Sequence, residues 1–334
     1  MVNKLFFYIT KNTMPYENLA LEEHLMESVP ENAVTLYLWQ NKHTVVVGRN
    51  QNPWRECNVT KLEEDGGYFV RRLSGGGAVF HDMGNLNFTF LVRKQNYDID
   101  LQLEVILRAV RSFGIAAEKT GRNDITVAGR KFSGNAFYKS GGFCYHHGTI
   151  MLSANLQSLS KYLNVSTEKL KSKGVASVRA RVLNLAELAP ELTVTKLQKA
   201  LLAAFAQVYG SAPIAVNAGE IDTARVGQLT EKFASWGWNF GSKIDFSYEL
   251  SRRFEWGEIQ LQLAVKDGKV NDVAVFSDAM NADIIGQLSA LFRGSCFAAK
   301  ALCSSLNPLL LQAEGDGERQ IILDIQRLLQ EDLA

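Results

Sequence analysis

The sequence lacks almost every feature that would mark a specialised class of protein. Net charge is missing: 36 Lys and Arg stand against 35 Asp and Glu, a formal charge of +1. No global field therefore draws the chain to nucleic acid or to an anionic membrane, and any anion site must be local. Long apolar runs are missing too. The N-terminal run, residues 5–9 behind Lys4, is too short for the core of a signal peptide, and no later stretch approaches a membrane span. The four cysteines, Cys57, Cys144, Cys296 and Cys303, form no CxxC pair. They read as reduced thiols of a cytoplasmic protein and not as a disulfide framework or a zinc site. No repeat and no low-complexity segment is present. What remains is an ordinary globular composition, 46% hydrophobic and 21% charged, over 334 residues. That length favours one large domain with a smaller one.

The N-terminal half patterns as strands. LFFYIT, VTLYLWQ and TVVVGR are apolar or β-branched runs of strand length. Between the first two, Pro15 opens PYENLALEEHLMESV, a helix begun by proline. GYFVRRLS, AVFHD and NLNFTFLV follow as closely spaced strands. A helix is predicted over residues 100–113, with Leu103, Ile106, Leu107 and Val110 on one face and Gly114 as its stop. Three more strands are expected over residues 124–127, 130–138 and 143–152. Beyond residue 153 the texture becomes helical, with Leu197, Leu201, Ala204, Phe205 and Val208 at helical spacing before Gly210. The aromatics of WGWNFGSKIDF are expected to close the first core. A compact unit follows: two strands joined at Asp267-Gly268, a hairpin signal, and then helices to the end. The fold class is α+β, with a large domain over 1–246 and a small α+β domain over 247–334.

Chemistry concentrates in three segments. In RRLSGGGAVFHD, three adjacent glycines between strands free the backbone to aim consecutive amide hydrogens at a phosphate or carboxylate. Arg71 and Arg72 leave the preceding strand on opposite faces, so at most one readily serves a given face. On these residues alone, a glycine hairpin beside a surface arginine pair is the other reading. In GRNDITVAGRKFSGNAFY, Lys131 sits in a strand-like run ahead of small Ser133 and Gly134, which leave room for a ligand. A compact ammonium suits a carboxylate–phosphate junction. Asp124 has the chemistry to hold magnesium, which favours carboxylate and phosphate oxygens. A rim lysine and a loop aspartate are the alternatives. In the third segment, His146 and His147 are adjacent on a strand and so face opposite ways, a poor metal pair. One can orient a ligand while the other is structural. Ser177, Val178, Arg179 and Arg181 follow Gly174 in a loop that is either a flap over a nucleotide or a basic surface loop.

Together the segments resemble the lipoate–protein ligases, relatives of biotin ligases and octanoyltransferases. The likeness runs over most of the chain, through PYENLALEEHL, VVVGRNQNPWRECN, RRLSGGGAVFHDMGN, GRNDI, GRKFSGNA, HHGT, SVRARVLNL and WGWNFG. It implies a large mixed-sheet catalytic domain of the biotin/lipoate-ligase type with a smaller C-terminal accessory domain. It also implies a two-step reaction using ATP and Mg2+. Lipoate is adenylated and then joined to a lysine of a lipoyl domain, in the E2 subunit of a 2-oxo acid dehydrogenase or in glycine-cleavage H protein. The family's lipoate-binding loop falls on residues 71–77, including Arg71, Ser74, Gly75 and Gly76, with His147 and Lys131 also toward lipoate. Its ATP contacts fall on Arg72, Gly77, Ala78, Val79 and Phe80. Its essential lysine is Lys131, and its adenylate loop is residues 175–183, with Ser177, Val178 and Arg179. The alternatives are a lipoyl or octanoyl transferase using a preformed acyl donor, or a non-catalytic lipoate or adenylate binder. Cysteine-dependent transferases place their nucleophile where TGRNDITVAG or the adenylate loop stands here, and neither stretch contains a cysteine.

Overall fold

The computed structural model describes residues 2–121, 123–164, 181–241 and 244–333. Its strands are β1 (Lys4–Ile9), β2 (Ala33–Trp39), β3 (Thr44–Val47), β4 (Tyr68–Arg71), β5 (Val79–His81), β6 (Asn85–Arg93) and β7 (Glu118–Thr120). They continue with β8 (Asp124–Val127), β9 (Arg130–Ser140), β10 (Phe143–Met151), β11 (Ile214–Ala215), β12 (Tyr248–Phe254), β13 (Gly257–Lys266) and β14 (Lys269–Ser277). The helices used below are α1 (Pro15–Ser28), α2 (Ile99–Arg111), α3 (Leu156–Tyr162), α4 (Val194–Tyr209), α5 (Thr223–Ala234), α6 (Ala282–Phe292) and α7 (Asp316–Asp332).

An eight-stranded mixed sheet in the order β11-β1-β2-β6-β10-β9-β8-β7 forms the larger unit. β1 runs parallel to β2 and β11, and the remaining neighbours are antiparallel. Alternation gives the sheet two chemically different faces. Leu86, Phe88, Phe90 and Val92 of β6 enter the core with Leu36 and Leu38 of β2 and with α2 and α4. From those helices come Leu103, Ile106 and Val110, then Leu197, Leu201 and Phe205, the positions that the helical spacing picked out. Fully burying one such side chain contributes about 1.5–3 kcal/mol. Of the alternate residues of β6, Asn85, Asn87 and Thr89 turn to the face covered by α1. Pro15 occupies the first turn of α1, as read from the sequence. Asn18 ties that helix to the β1–α1 and β2–β3 connections by donating to the carbonyls of Asn12 and Gln40 and to Asn41 Oδ1. Helix α5 lies on α1 through Lys232–Glu23 and Arg225–Glu27 pairs. Trp238 packs edge-on to Phe233, whereas Trp236 is 61% exposed. Only part of the aromatic run therefore closes a core.

The second compact unit comprises Phe240–Ala334 together with two short early segments, Val47–Pro53 and Arg72–Gly77. Its sheet, β12-β13-β14, turns between β13 and β14 at Asp267 (φ 51°) and Gly268 (φ 70°), the paired positive angles of the anticipated tight hairpin. Leu250, Ile259, Leu261 and Leu263 pack against Ile285, Leu288 and Phe292 of α6 and Ile322, Ile325 and Leu329 of α7. The early segments join this unit by backbone and side-chain hydrogen bonds. Ser277 N donates to Asn50 O (2.8 Å), and Asn50 Nδ2 donates to Ala282 O (2.8 Å). No helix of the described residues is long and apolar enough to cross a membrane.

Candidate active site

Lys131 reaches its position through an irregularity in the sheet. β8 and β9 pair Ile125 with Ser133 and then Thr126 with Lys131, so one extra residue, Phe132, is accommodated in β9. In a regular strand, residues three apart face opposite ways. Here the bulge absorbs one step: Phe132 enters the core, and Lys131 and Gly134 share the face opposite to it. A Cβ added to Gly134 would lie 2.8 Å from Lys131 Nζ, so a side chain at that position would evict the ammonium. Gly134 N donates to Thr149 Oγ1 (3.3 Å) on β10. Asp124, paired with Gly134 across β8 and β9, holds Lys131 Nζ at 2.7 Å through Oδ1. Both side chains are part-exposed, so the pair is solvated and open to a ligand.

The backbone of Lys131 also anchors the returning end of the 175–183 loop. Leu183 N donates to Lys131 O (2.8 Å), and Arg130 donates through Nε and Nη2 to Val182 O. Of the sequence-predicted residues, Ser177, Val178 and Arg179 lie outside the described residues. Near the other end of this gap in the described residues, the hydroxyl of Tyr162 donates to Asp65 Oδ2 (2.8 Å) and contacts His43 Nε2 (3.1 Å). Lys161 and Tyr162 beside Asp65 hold its carboxyl well below the usual carboxylate range. The Tyr162 ring stacks on Phe80 at 5.4 Å.

The two histidines separate as alternation requires. His146 points into the core, with Nδ1 3.2 Å from Gln102 Oε1 and Nε2 2.8 Å from Asn135 Oδ1. Burial pushes its pKa down to about 3, so it stays neutral. His147 takes the α1 face, with Nδ1 2.9 Å from Glu22 Oε1. Glu22 accepts a second hydrogen bond from Thr89 Oγ1 (2.6 Å), and Thr89 Oγ1 accepts from Trp39 Nε1 (3.1 Å). This buried Trp39–Thr89–Glu22–His147 chain was not anticipated from the sequence. Its signal was nevertheless present: Glu22 stands three residues from both Leu19 and Leu25, an acid within the apolar stripe of a helix.

The glycine loop divides its two arginines. Arg71 donates through Nε and Nη2 to the carbonyl of Asn239 and through Nε to that of Trp238, while Trp238 Nε1 donates to Arg71 O (2.8 Å). Arg72 turns inward on its own loop. Its Nε donates to Ser74 Oγ (3.0 Å), and Nη2 donates to the carbonyls of Gly75 (2.7 Å) and Gly77 (2.8 Å). Gly76, at φ 88°, donates its amide to Ala279 O (3.0 Å). A Cβ on Gly75 would come within 2.3 Å of the same carbonyl oxygen, so glycine there answers a close backbone approach. Ala78, Val79 and Phe80 continue into β5, where Val79 and Phe80 pair with Val46 and Val45. No group of three or more His, Cys, Asp or Glu among the described residues could hold a metal ion by itself. Asp124 remains as one carboxylate, which is what magnesium takes from a protein when phosphates supply most of its other ligands.

Comparisons with known proteins agree with this geometry. The model for the lipoyl protein ligase A/B catalytic domain matches residues 14–206, more than half of the chain. That for the bacterial lipoate protein ligase C-terminus matches residues 243–325. Lipoate-protein ligase A of Psychrobacter cryohalolentis is 42% identical over 288 residues, covering 83% of this chain and 84% of that protein. The crystal structure of P. falciparum LipL1 in complex with lipoate matches with a TM-score of 0.86 at 27% identity, covering 98% of this chain and all of that one. A bi-partite lipoate protein ligase from Thermoplasma acidophilum, studied with its E2 lipoyl domain, shares the fold with a TM-score of 0.63 at 24% identity, over 74% of this chain and 100% of that one. With its catalytic and C-terminal regions both matched and a relative this close over most of its length, the chain belongs to the lipoate–protein ligases.

Proposed function

We propose that the protein activates lipoate with ATP and joins it to a lysine of a lipoyl domain, as part of lipoate scavenging. In the first half-reaction a carboxylate oxygen of lipoate attacks the α-phosphorus of ATP. The bond to the β-phosphate breaks, and lipoyl-adenylate and pyrophosphate form. In the second, the lysine amine attacks the acyl carbonyl, the carbon–oxygen bond to AMP breaks, and the nitrogen releases a proton to give the amide. The strongest support is the placement of Lys131, the ammonium that the β9 bulge turns over Gly134 beside Asp124. It can draw carboxylate and α-phosphate together and then stabilise the oxyanion on the carbonyl.

The other roles are assigned on the same reading. Arg71, Ser74, Gly75, Gly76 and His147 serve lipoate. Arg72, Gly77, Ala78, Val79, Phe80, Ser177, Val178 and Arg179 serve the nucleotide. Asp124 supplies the protein ligand of the Mg2+ that accompanies ATP. The catalytic division is 1–246 and the accessory division 247–334. Acceptors are lipoyl domains of 2-oxo acid dehydrogenase E2 subunits and glycine-cleavage H protein, met in the cytoplasm. A cysteine-linked acyl intermediate has little support. Cys144 is buried in the core and Cys57 is pushed up to about 12, both mainly by burial. The test is pyrophosphate release from lipoate, ATP and magnesium, followed by mass spectrometry of an apo lipoyl domain. Tight lipoate binding without pyrophosphate would leave only a binding protein.

A further inference from the structure

Resting on the ligase reading above, we propose that Asn135 is a positioning residue for Lys131. Clasped with Asn123, it locks the register of β8 on β9 beyond the bulge, and so keeps Asp124 and the bare backbone of Gly134 against the ammonium. Three motifs meet at this residue. Asn123, from GRNDI, donates through Nδ2 to Asn135 O (2.9 Å). Asn135, from GRKFSGNA, returns two bonds, its amide (2.9 Å) and its Nδ2 (3.0 Å) both donating to Asn123 O. With Nδ2 committed there, Asn135 Oδ1 faces His146 Nε2 (2.8 Å), from HHGT, and accepts its hydrogen. Gly148 of the same motif stands opposite Asn135 on β10, and a Cβ there would lie 2.9 Å from Asn135 Oδ1. Its missing side chain leaves the space that the asparagine fills. Asn135 and His146 are buried on the core face of the sheet, the side away from the ammonium. They therefore act on the reaction through the strands and not by touching substrate.

What the clasp holds is a register that the ladder alone leaves open. β8 has four residues, and its pairing with β9 shifts by one in the middle. On one side of the shift Thr126 opposes Lys131; continued in step, that register would set Asp124 opposite Ser133. Asp124 instead opposes Gly134. The difference bears on the chemistry, because a Cβ at the place of Gly134 would lie 2.8 Å from Lys131 Nζ. In the unshifted register Ser133 would take that place beside Asp124, and its side chain would obstruct the ammonium. Strands slip where their side chains do not specify the register. Asn123 and Asn135 do specify it. They are the next pair beyond Asp124 and Gly134, and each bonds the other's backbone carbonyl. In the unshifted register Asn123 would face Gly134, which has no side chain to return the bond.

The experiment places Asn135→Ala in the full wild-type chain and in Lys131→Met, with the core variant Leu201→Ala as a control for stability. Pyrophosphate release at saturating lipoate and ATP gives kcat, and hydrogen exchange reads the amides of residues 124–127 and 131–134. Removing a preorganised donor costs about 10²–10³ in rate, so misplacing it should lower kcat by about 10–100-fold in Asn135→Ala. In Lys131→Met the same change should cost less than about twofold, because residues that act through one group are not additive. Exchange of those amides should quicken about tenfold more in Asn135→Ala than in Leu201→Ala. A merely structural asparagine would cost the same factor in both backgrounds. Equal factors, or exchange no faster than in Leu201→Ala, overturns the proposal. If Asn135→Ala does not fold, Asn123→Ala, which removes one bond of the clasp from a half-buried position, is judged by the same two readouts. A wild-type chain that releases no pyrophosphate would count against the ligase reading instead, and exchange would still decide whether the clasp holds the register.

Discussion

Replacing Lys131 with methionine separates catalysis from stability more cleanly than any other change in this protein. The side chain stays unbranched but is one atom shorter, and it loses the charge and the donors of the ammonium. What the fold loses is the 2.7 Å pair with Asp124, whose partners are 36% and 27% exposed. Solvent screens such a pair, and its contribution is about 0.2–1 kcal/mol. For a chain of this size that amounts to a shift of a few degrees at most, given about 2–4 °C per kcal/mol in domains of 150–250 residues. Catalysis should suffer far more. Removing one preorganised donor from a developing oxyanion costs about 10²–10³ in rate. The same ammonium is assigned to both half-reactions, so both should fall. Adenylation is followed by pyrophosphate release, and transfer by mass spectrometry of an apo lipoyl domain supplied with synthetic lipoyl-adenylate. A Lys131→Met protein that melts within a few degrees of wild type yet runs either half-reaction at near wild-type rate would refute the assignment.

Three other outcomes follow from particular contacts. His146 is held neutral down to about pH 3, whereas in the unfolded chain it protonates near its ordinary value of 6.5. The unfolded state thus binds more protons between those values, and stability falls as pH falls. Urea denaturation should show His146→Gln losing about 2 kcal/mol less than wild type between pH 7 and pH 5, and equal losses would sink the idea. Gly75→Ala places a Cβ 2.3 Å from Ala279 O and 2.6 Å from Met280 O. It should cost about 1–3 kcal/mol in denaturation and slow adenylation, and an unperturbed variant would show that the loop yields freely. Iodoacetamide should modify the exposed Cys296 and leave turnover intact, since Cys57, Cys144 and Cys303 are buried. A thioester trapped on any of them during turnover would favour a transferase instead.

Much of the fold was legible because its signals are local. Pro15 opens α1, Gly114 follows α2, Gly210 caps α4, and Asp267-Gly268 turns the β13–β14 hairpin. The order of the large sheet was not legible. β6 lies between β2 and β10 because of pairings about 50 to 65 residues apart, which no short-range pattern carries. The grouping of residues 47–53 and 72–77 with the C-terminal unit was likewise hidden. It rests largely on backbone bonds between distant segments, such as Gly76 N to Ala279 O, that leave no trace in side-chain character.

The site divides along the same line. Alternation was enough to send His146 and His147 to opposite faces and to give Arg71 and Arg72 different partners. Alternation applied to β9 fails, because it would put Lys131 and Gly134 on opposite faces. The extra residue at Phe132 reverses that parity, and a bulge is set by the pairing of two strands, not by the composition of one. The polar residues on the α1 face were equally obscure. Asn87, Thr89 and Thr149 read in sequence as ordinary strand positions, and Glu22 as one of several acids on a helix. They acquire chemical meaning when β2, β6, β10 and β9 are laid side by side, which lines up Trp39, Asn87, Thr149 and Gly134. A motif can therefore single out a lysine, while the residues that share its face of the sheet emerge only from register.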